Sequence, residues 1–409
     1  MTTTTLRQDP EKRDPRQPDH EKGLRRQAPQ GEAPQGEAPQ GQAPQGEAPQ
    51  GQEPAGHTPP SAAPDRTGTL TRLRAGRRAR RRRTALVAGI LTVLLVALTA
   101  ASVLLGGVGR VAPADVLPAA FGLRTGLADY MIFQLRMPRA LAALLAGALF
   151  GLAGALYQRL IRNPLATPDI VGISAGAAAG AITVLLYAPA AFALGAPLAA
   201  VGGSFLLLAA VHALSWRGGV DTYRLVLVGI GLSAVCTAYT NYLLTAADEQ
   251  SIAIAMRWLI GSVNGADWDG VTTLAVGLAI CLPAAALLHR PLQSLTLGDQ
   301  LATGLGTRVA PARVAALLVG AAAAALATSV VGPVGFVSLV SGPIAQRLVG
   351  EDRATALAPA IGAVLVIAAD VLAQNAPLIS PVPTGVLTAL LGAPYFVWLI
   401  LRRRQEATP

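Results

Sequence analysis

Residues 80–105 read RRRRTALVAGILTVLLVALTAASVLL. Arginines abut an uncharged run, 84–105, that holds no proline. A helix rises about 1.5 Å per residue and a bilayer core is about 30 Å thick, so roughly 20 apolar residues suffice to cross it. Positive-then-apolar is also the order in a secretory signal peptide, but this run is too long and starts too far from the N-terminus. It is read as a first transmembrane helix with its basic end in the cytoplasm.

Downstream the pattern recurs. Further apolar runs occupy 140–157, 170–187, 197–215, 225–247, 271–288, 314–331, 335–349, 354–373 and 384–401, the run at 335–349 being short and glycine-rich. Of 409 residues, 52% are hydrophobic, only 14% are charged, and 43 are glycine, which excludes an ordinary soluble domain. Small residues let helix backbones approach where no water drives association. The expected fold is an all-α membrane protein, one bundle of about ten transmembrane helices over residues 84–404. The arginines agree with that count. Arg159, Arg162, Arg217, Arg224, Arg290, Arg308, Arg313, Arg347, Arg353 and Arg402 to Arg404 fall in the expected inner loops, against Arg110, Arg124, Arg136, Arg139 and Arg257 outside. Both termini are therefore expected in the cytoplasm and the chain in the cell membrane. Trp216, Trp258, Trp268 and Trp398 lie near span ends or in loops, as an interfacial belt requires.

Upstream, residues 1–83 form a polar tail in which Ala28-Pro29-Gln30-Gly31-Glu32 recurs through Gln52, with Glu and Gln alternating at the fifth place. Such a stretch buries too little apolar surface to offset ordering entropy and is expected to be disordered. Residues 405–409 are a short C-terminal tail. The net charge of +10 lies mostly beside the first and last spans, which points to the lipid bilayer rather than to nucleic acid.

No catalytic constellation appears. A P-loop needs a lysine after its glycines, and Lys12 and Lys22, both in the tail, are the only lysines. The chain is therefore not expected to be an enzyme or to hold a cofactor; any ATP would be used by a partner subunit. Cys236 and Cys281 sit in apolar runs, the four histidines are scattered, and no metal site is expected. Asp370 is the clearest charge inside a span and is expected to be structural. The lack of midplane acids counts against an ion-coupled secondary transporter.

The loop at 290–308 is too polar to cross and too patterned for a linker. Leu297, Leu301 and Leu305 share a helical face, giving one or two short amphipathic helices, with Gly304 and Gly306 placed to turn the chain between them. Spacing alone leaves open whether this face lies on lipid or docks into a partner.

Several motifs, in order, resemble the type II ABC importer permeases for iron–siderophore, heme and cobalamin. They are Arg136-Met137-Pro138-Arg139; Gly154-Ala155-Leu156-Tyr157-Gln158 leading to Arg162-Asn163-Pro164-Leu165-Ala166 and Gly172-Ile173-Ser174-Ala175-Gly176; Leu259-Ile260-Gly261-Ser262; Leu297-Gly298-Asp299 with Leu305-Gly306; Gly332-Pro333-Val334-Gly335-Phe336-Val337; and Pro383-Thr384-Gly385-Val386 with Gly392-Ala393-Pro394-Tyr395-Phe396. The resemblance implies a permease working as a pair, identical or not, with cytoplasmic ABC ATPase subunits and an extracytoplasmic siderophore-binding protein. It implies that Leu297, Gly298, Asp299, Leu301, Leu305 and Gly306 meet the ATPase. Ser341-Gly342-Pro343-Ile344-Ala345-Gln346-Arg347 departs from the Pro-His pair of many relatives and points toward a catecholate, enterobactin-like ligand; Gln374 stands where cobalamin permeases carry a docking arginine. Heme or cobalamin remains the alternative cargo, and a membrane receptor the remaining reading from another class.

Arg136 and Arg139 stand out because they sit on the expected outer face and at the positive end of a helix dipole, which disfavours a cation by about 0.3–1 kcal/mol. They either reach outer-leaflet phosphates or pair with acids on the binding protein; the resemblance implies the latter.

Overall fold

The computed structural model describes residues 66–106, 127–216, 222–375 and 382–406. These lie in the unit Pro64–Pro409; the repeats, Arg110, Arg124 and Arg217 lie outside the described residues. The described secondary structure is wholly helical: α1 (Arg66–Leu105), α2 (Met137–Ile161), α3 (Ile173–Tyr187), α4 (Phe192–Ser215), α5 (Thr222–Thr245), α6 (Glu249–Ile260), α7 (Trp268–Leu287), α8 (His289–Thr296), α9 (Asp299–Gly304), α10 (Val309–Val331), α11 (Val337–Val349), α12 (Glu351–Asn375) and α13 (Thr384–Glu406). A turn of π-helix, Met131–Arg136, leads into α2, and Pro138 opens it where a missing amide costs nothing.

This is an all-helical membrane protein. Among the described residues, 7 helices are long and apolar enough to cross a bilayer, and Ile173–Tyr187 and Thr384–Leu399 are shorter apolar helices. Each expected span has a helical counterpart, although α11, with 13 residues, rises only about 20 Å. Two boundaries differ from the sequence reading. The helix of the first span reaches back to Arg66, so the tail boundary expected at residue 83 falls inside α1; the stretch between holds no proline and is rich in arginine, a good helix former. Helix α6 occupies a segment read as loop; its signal was Asp248, whose carboxylate accepts from the Ser251 amide at 3.1 Å and caps the first turn.

Helix α2 is the hub. Its most apolar window is 83% buried, against 11% for α1, and it touches α7, α10, α11 and α12. Glycine spacing explains the position. Gly147, Gly151 and Gly154 form one stripe; a methyl group at Gly147 would overlap the Gly362 carbonyl of α12, and one at Gly154 the Ser338 carbonyl of α11. The chain leaves α2 through Arg162 in a left-handed conformation, φ 55°.

Candidate functional site

Two polar clusters mark the two ends of α2. At its start, Asp370 of α12 is fully buried. Its carboxylate accepts from Arg139 Nη2 at 2.8 Å and Nε at 3.1 Å, from Thr384 Oγ1 at 3.1 Å, and from the Gln374 amide. Arg139 Nη1 also donates to Asn264 Oδ1 at 2.9 Å. A buried carboxylate is costly unless paired and hydrogen-bonded, and here a forked guanidinium and two neutral donors meet it. The cluster ties α2, α12, α13 and the loop after α6 together.

The same end gathers motifs that are far apart in sequence. Ser262 N donates to Val331 O at 2.7 Å, and Gly385 N to Gly261 O at 3.0 Å. Gly261 (φ 74°) and Gly332 (φ 71°) adopt the left-handed region, and a side chain at either would strike the other's segment. Beside this knot lies a cavity of about 420 Å³ whose lining includes Arg139, Arg257, Trp258, Ser262 and Asn264.

Both arginines singled out from the sequence are engaged within the chain. Arg136 is 6% exposed and its Nη1 donates to Val103 O at 2.8 Å. It thus sits on the last carbonyls of α1, the negative end of that dipole, which offsets its place at the positive end of α2. Arg139, 12% exposed in its side chain, belongs to Asp370. The sequence singled out Asp370 and Arg139 separately and missed their pairing. The available signal was that each is an isolated charge of opposite sign beside or inside an apolar run.

At the other end of α2, Arg159 is 6% exposed and donates through Nη2 to Glu351 O at 2.5 Å. Gln158 Nε2 donates to Leu339 O at 3.0 Å, linking α2 to α11. Arg162 Nη2 and Arg313 Nη2 both bond Asp299 Oδ1, at 3.1 and 2.9 Å, holding the start of α9 against α2 and α10. The turn between α8 and α9 is made by Gly298, φ 104°, and not by Gly304, which ends α9 in helical conformation; Gly306, φ 82°, turns the chain toward α10. Leu292, Leu295 and Ala302 point inward, while Leu297, Leu301 and Leu305 are 56%, 62% and 65% exposed. An adjoining groove of about 540 Å³ includes Arg290, Leu305, Gly306 and Arg308 in its lining. Burial, together with the neighbouring Arg159 charge, pushes His289 down from its ordinary histidine value. Of the residues singled out in this loop, Leu297, Asp299, Leu301, Leu305 and Gly306 are exposed and Gly298 is half-buried, with Asp299 held by the two arginines. Among the described residues no group of three or more His, Cys, Asp or Glu is arranged to hold a metal.

Comparison with known proteins agrees with this architecture. The chain is 39% identical over 305 residues to the achromobactin transport system permease protein CbrC of Dickeya dadantii, covering 73% of this chain and 87% of that one. It is 36% identical over 314 residues to the Fe(3+)-citrate import system permease protein YfmE of Bacillus subtilis, covering 76% and 93%. Among solved structures, a metal-chelate type ABC transporter in an inward-facing conformation superposes with a TM-score of 0.67 at 28% identity, over 78% of this chain and 99% of that one. The model of the FecCD transport family matches residues 93–402, and the chain belongs to that family.

Proposed function

We propose that this chain is the permease subunit of an ATP-driven importer that carries a ferric complex of the siderophore class into the cell. One observation carries the reading. Short polar helices, α8 and α9, hold three leucines in the open beside one end of the hub helix, in a chain whose lysines lie only at 12 and 22. Exposed large apolar side chains on an otherwise polar surface mark a partner site, and the absent P-loop lysine means the energy comes from that partner. Leu297, Leu301 and Leu305 would seat the ATPase, with Gly298, Asp299 and Gly306 setting their angle.

On this reading the α8–α9 end is cytoplasmic, and so are both termini. α3, α11 and α13 complete about ten crossings with the longer helices, and a second permease subunit lines the path. The extracytoplasmic binding protein docks at the Asp370 end. There Arg136 acts by closing α1, and a docking acid would reach Arg139 through the cavity it shares with Arg257. The relatives named for achromobactin and for Fe(3+)-citrate match at similar identity, so permease sequence discriminates cargo weakly; the catecholate preference rests on Ser341–Arg347 alone.

The test is uptake in proteoliposomes holding the chain, its ATPase and an external binding protein. ATP should drive accumulation of radio-iron as at least one ferric siderophore or ferric citrate. Accumulation of heme or cobalamin alone would overturn the cargo, and uptake driven by an ion gradient without the ATPase would overturn the class.

A further inference from the structure

Helix α1 begins outside the residues that match the family, and its basic turns, Arg78 and Arg80 to Arg83, are exposed. Two faces of these turns behave differently. One face looks into the bundle. Arg353 of α12 donates to Arg80 O at 3.1 Å and to Thr84 Oγ1 at 2.6 Å, Arg80 itself lies 3.9 Å from Asp352, and Leu91 one step further along is buried. Among the described residues, the other face is left exposed. Arg78, Arg82, Leu86 and Ile90 follow one another at a spacing of four, and Gly89 and Val93 lie three residues after Leu86 and Ile90, hence along one stripe. Leu86 is 64% exposed, Ile90 57% and Val93 70%, and a methyl group at Gly89 would meet nothing within 4 Å.

The stripe therefore has a cationic head of two arginines and an apolar body with a shallow notch at Gly89. That is the shape and polarity of a phospholipid with an anionic headgroup, in the orientation it takes in a bilayer that α1 crosses. The apolar body excludes a nucleic acid, which would need cations along its whole length. A cytoplasmic arginine cluster placed directly before a span attracts anionic headgroups charge by charge. We propose that the outward face of α1 is a binding site for an anionic phospholipid, with Arg78 and Arg82 on the headgroup phosphate and Leu86, Ile90 and Val93 along an acyl chain. Because Arg353 and Asp352 hold the neighbouring face, the bound lipid steadies the start of α12 as well. The inference needs α1 to span a bilayer but does not depend on the cargo.

The probe is phosphatidylglycerol against phosphatidylcholine, offered in equal amounts to the purified full chain and read as lipid retained by native mass spectrometry. The expected preference for phosphatidylglycerol is on the order of tenfold, from the attraction of two arginines to an anionic surface, and it should shrink as salt rises. Arg78→Gln with Arg82→Gln should bring the two lipids to parity, Arg78→Lys with Arg82→Lys should keep the preference, and Arg80→Gln, on the bundle face, should leave it unchanged. Equal retention of both lipids by the wild-type chain would overturn the proposal without any variant. So would a preference that survives in the double Gln variant, or an RNA oligonucleotide that displaces the lipid.

Discussion

At the Asp370 end the carboxylate has no exposure and is met by Arg139, 12% exposed in its side chain; at the α9 end Asp299 is 49% exposed and is met by Arg162 and Arg313. The pairs look alike as distances and differ in surroundings. Where water is excluded, the partner is obligatory, because either charge alone would be stranded. Where water reaches the pair, the bond orients more than it stabilises. The apolar residues follow the same division. Glycines and small side chains close the first end, whereas the second presents leucines to the outside. One end is built to hold the bundle together and the other to be met by something else.

The division implies a graded set of stability effects. Asp370→Ala leaves Arg139 without its carboxylate and should destabilise the chain by about 3–5 kcal/mol, read as a loss of thermal stability in detergent. Arg139→Met with Asp370→Leu should recover most of that loss; if the double variant is as unstable as the single one, the pair is not the cause. Next comes Gly147→Leu, which drives a side chain into the backbone of α12 and should cost about 1–3 kcal/mol. A smaller effect is expected from Asp299→Asn, at most about 1 kcal/mol and weaker still in high salt. An Asp299→Asn loss equal to that of Asp370→Ala would erase the distinction between the ends.

Much of the fold was legible because apolar length alone reports a membrane helix. The spans at 140–157 and 314–331 sit inside α2 and α10, and that at 271–288 runs one residue past the end of α7. What was not legible depends on neighbours distant in sequence. No local pattern shows that Arg139 meets Asp370, or that Arg136 reaches back to the end of α1. Leu297 precedes the turn at Gly298 and Leu305 follows α9, so the three leucines do not lie on one helix as expected, but their four-residue spacing could be read. The placing of the turn at Gly298 could not, since Gly298, Gly304 and Gly306 are all able to supply it and packing of Leu295 and Ala302 chooses among them. Gly306→Trp, though open in space, is a poor probe of this surface because φ 82° strains any side chain there.

Leu301→Asp with Leu305→Asp is cleaner, since both side chains are already in the open and stability should change by no more than about 0.5 kcal/mol. The decisive measurement is ATP-driven uptake by this double variant, reconstituted with the ATPase and binding protein and compared with wild type at equal amounts of folded permease. Uptake is expected to fall to the level seen without ATP while thermal stability is unchanged. Uptake at the wild-type rate would contradict that expectation, because the exposed leucines would then not be where energy enters the permease.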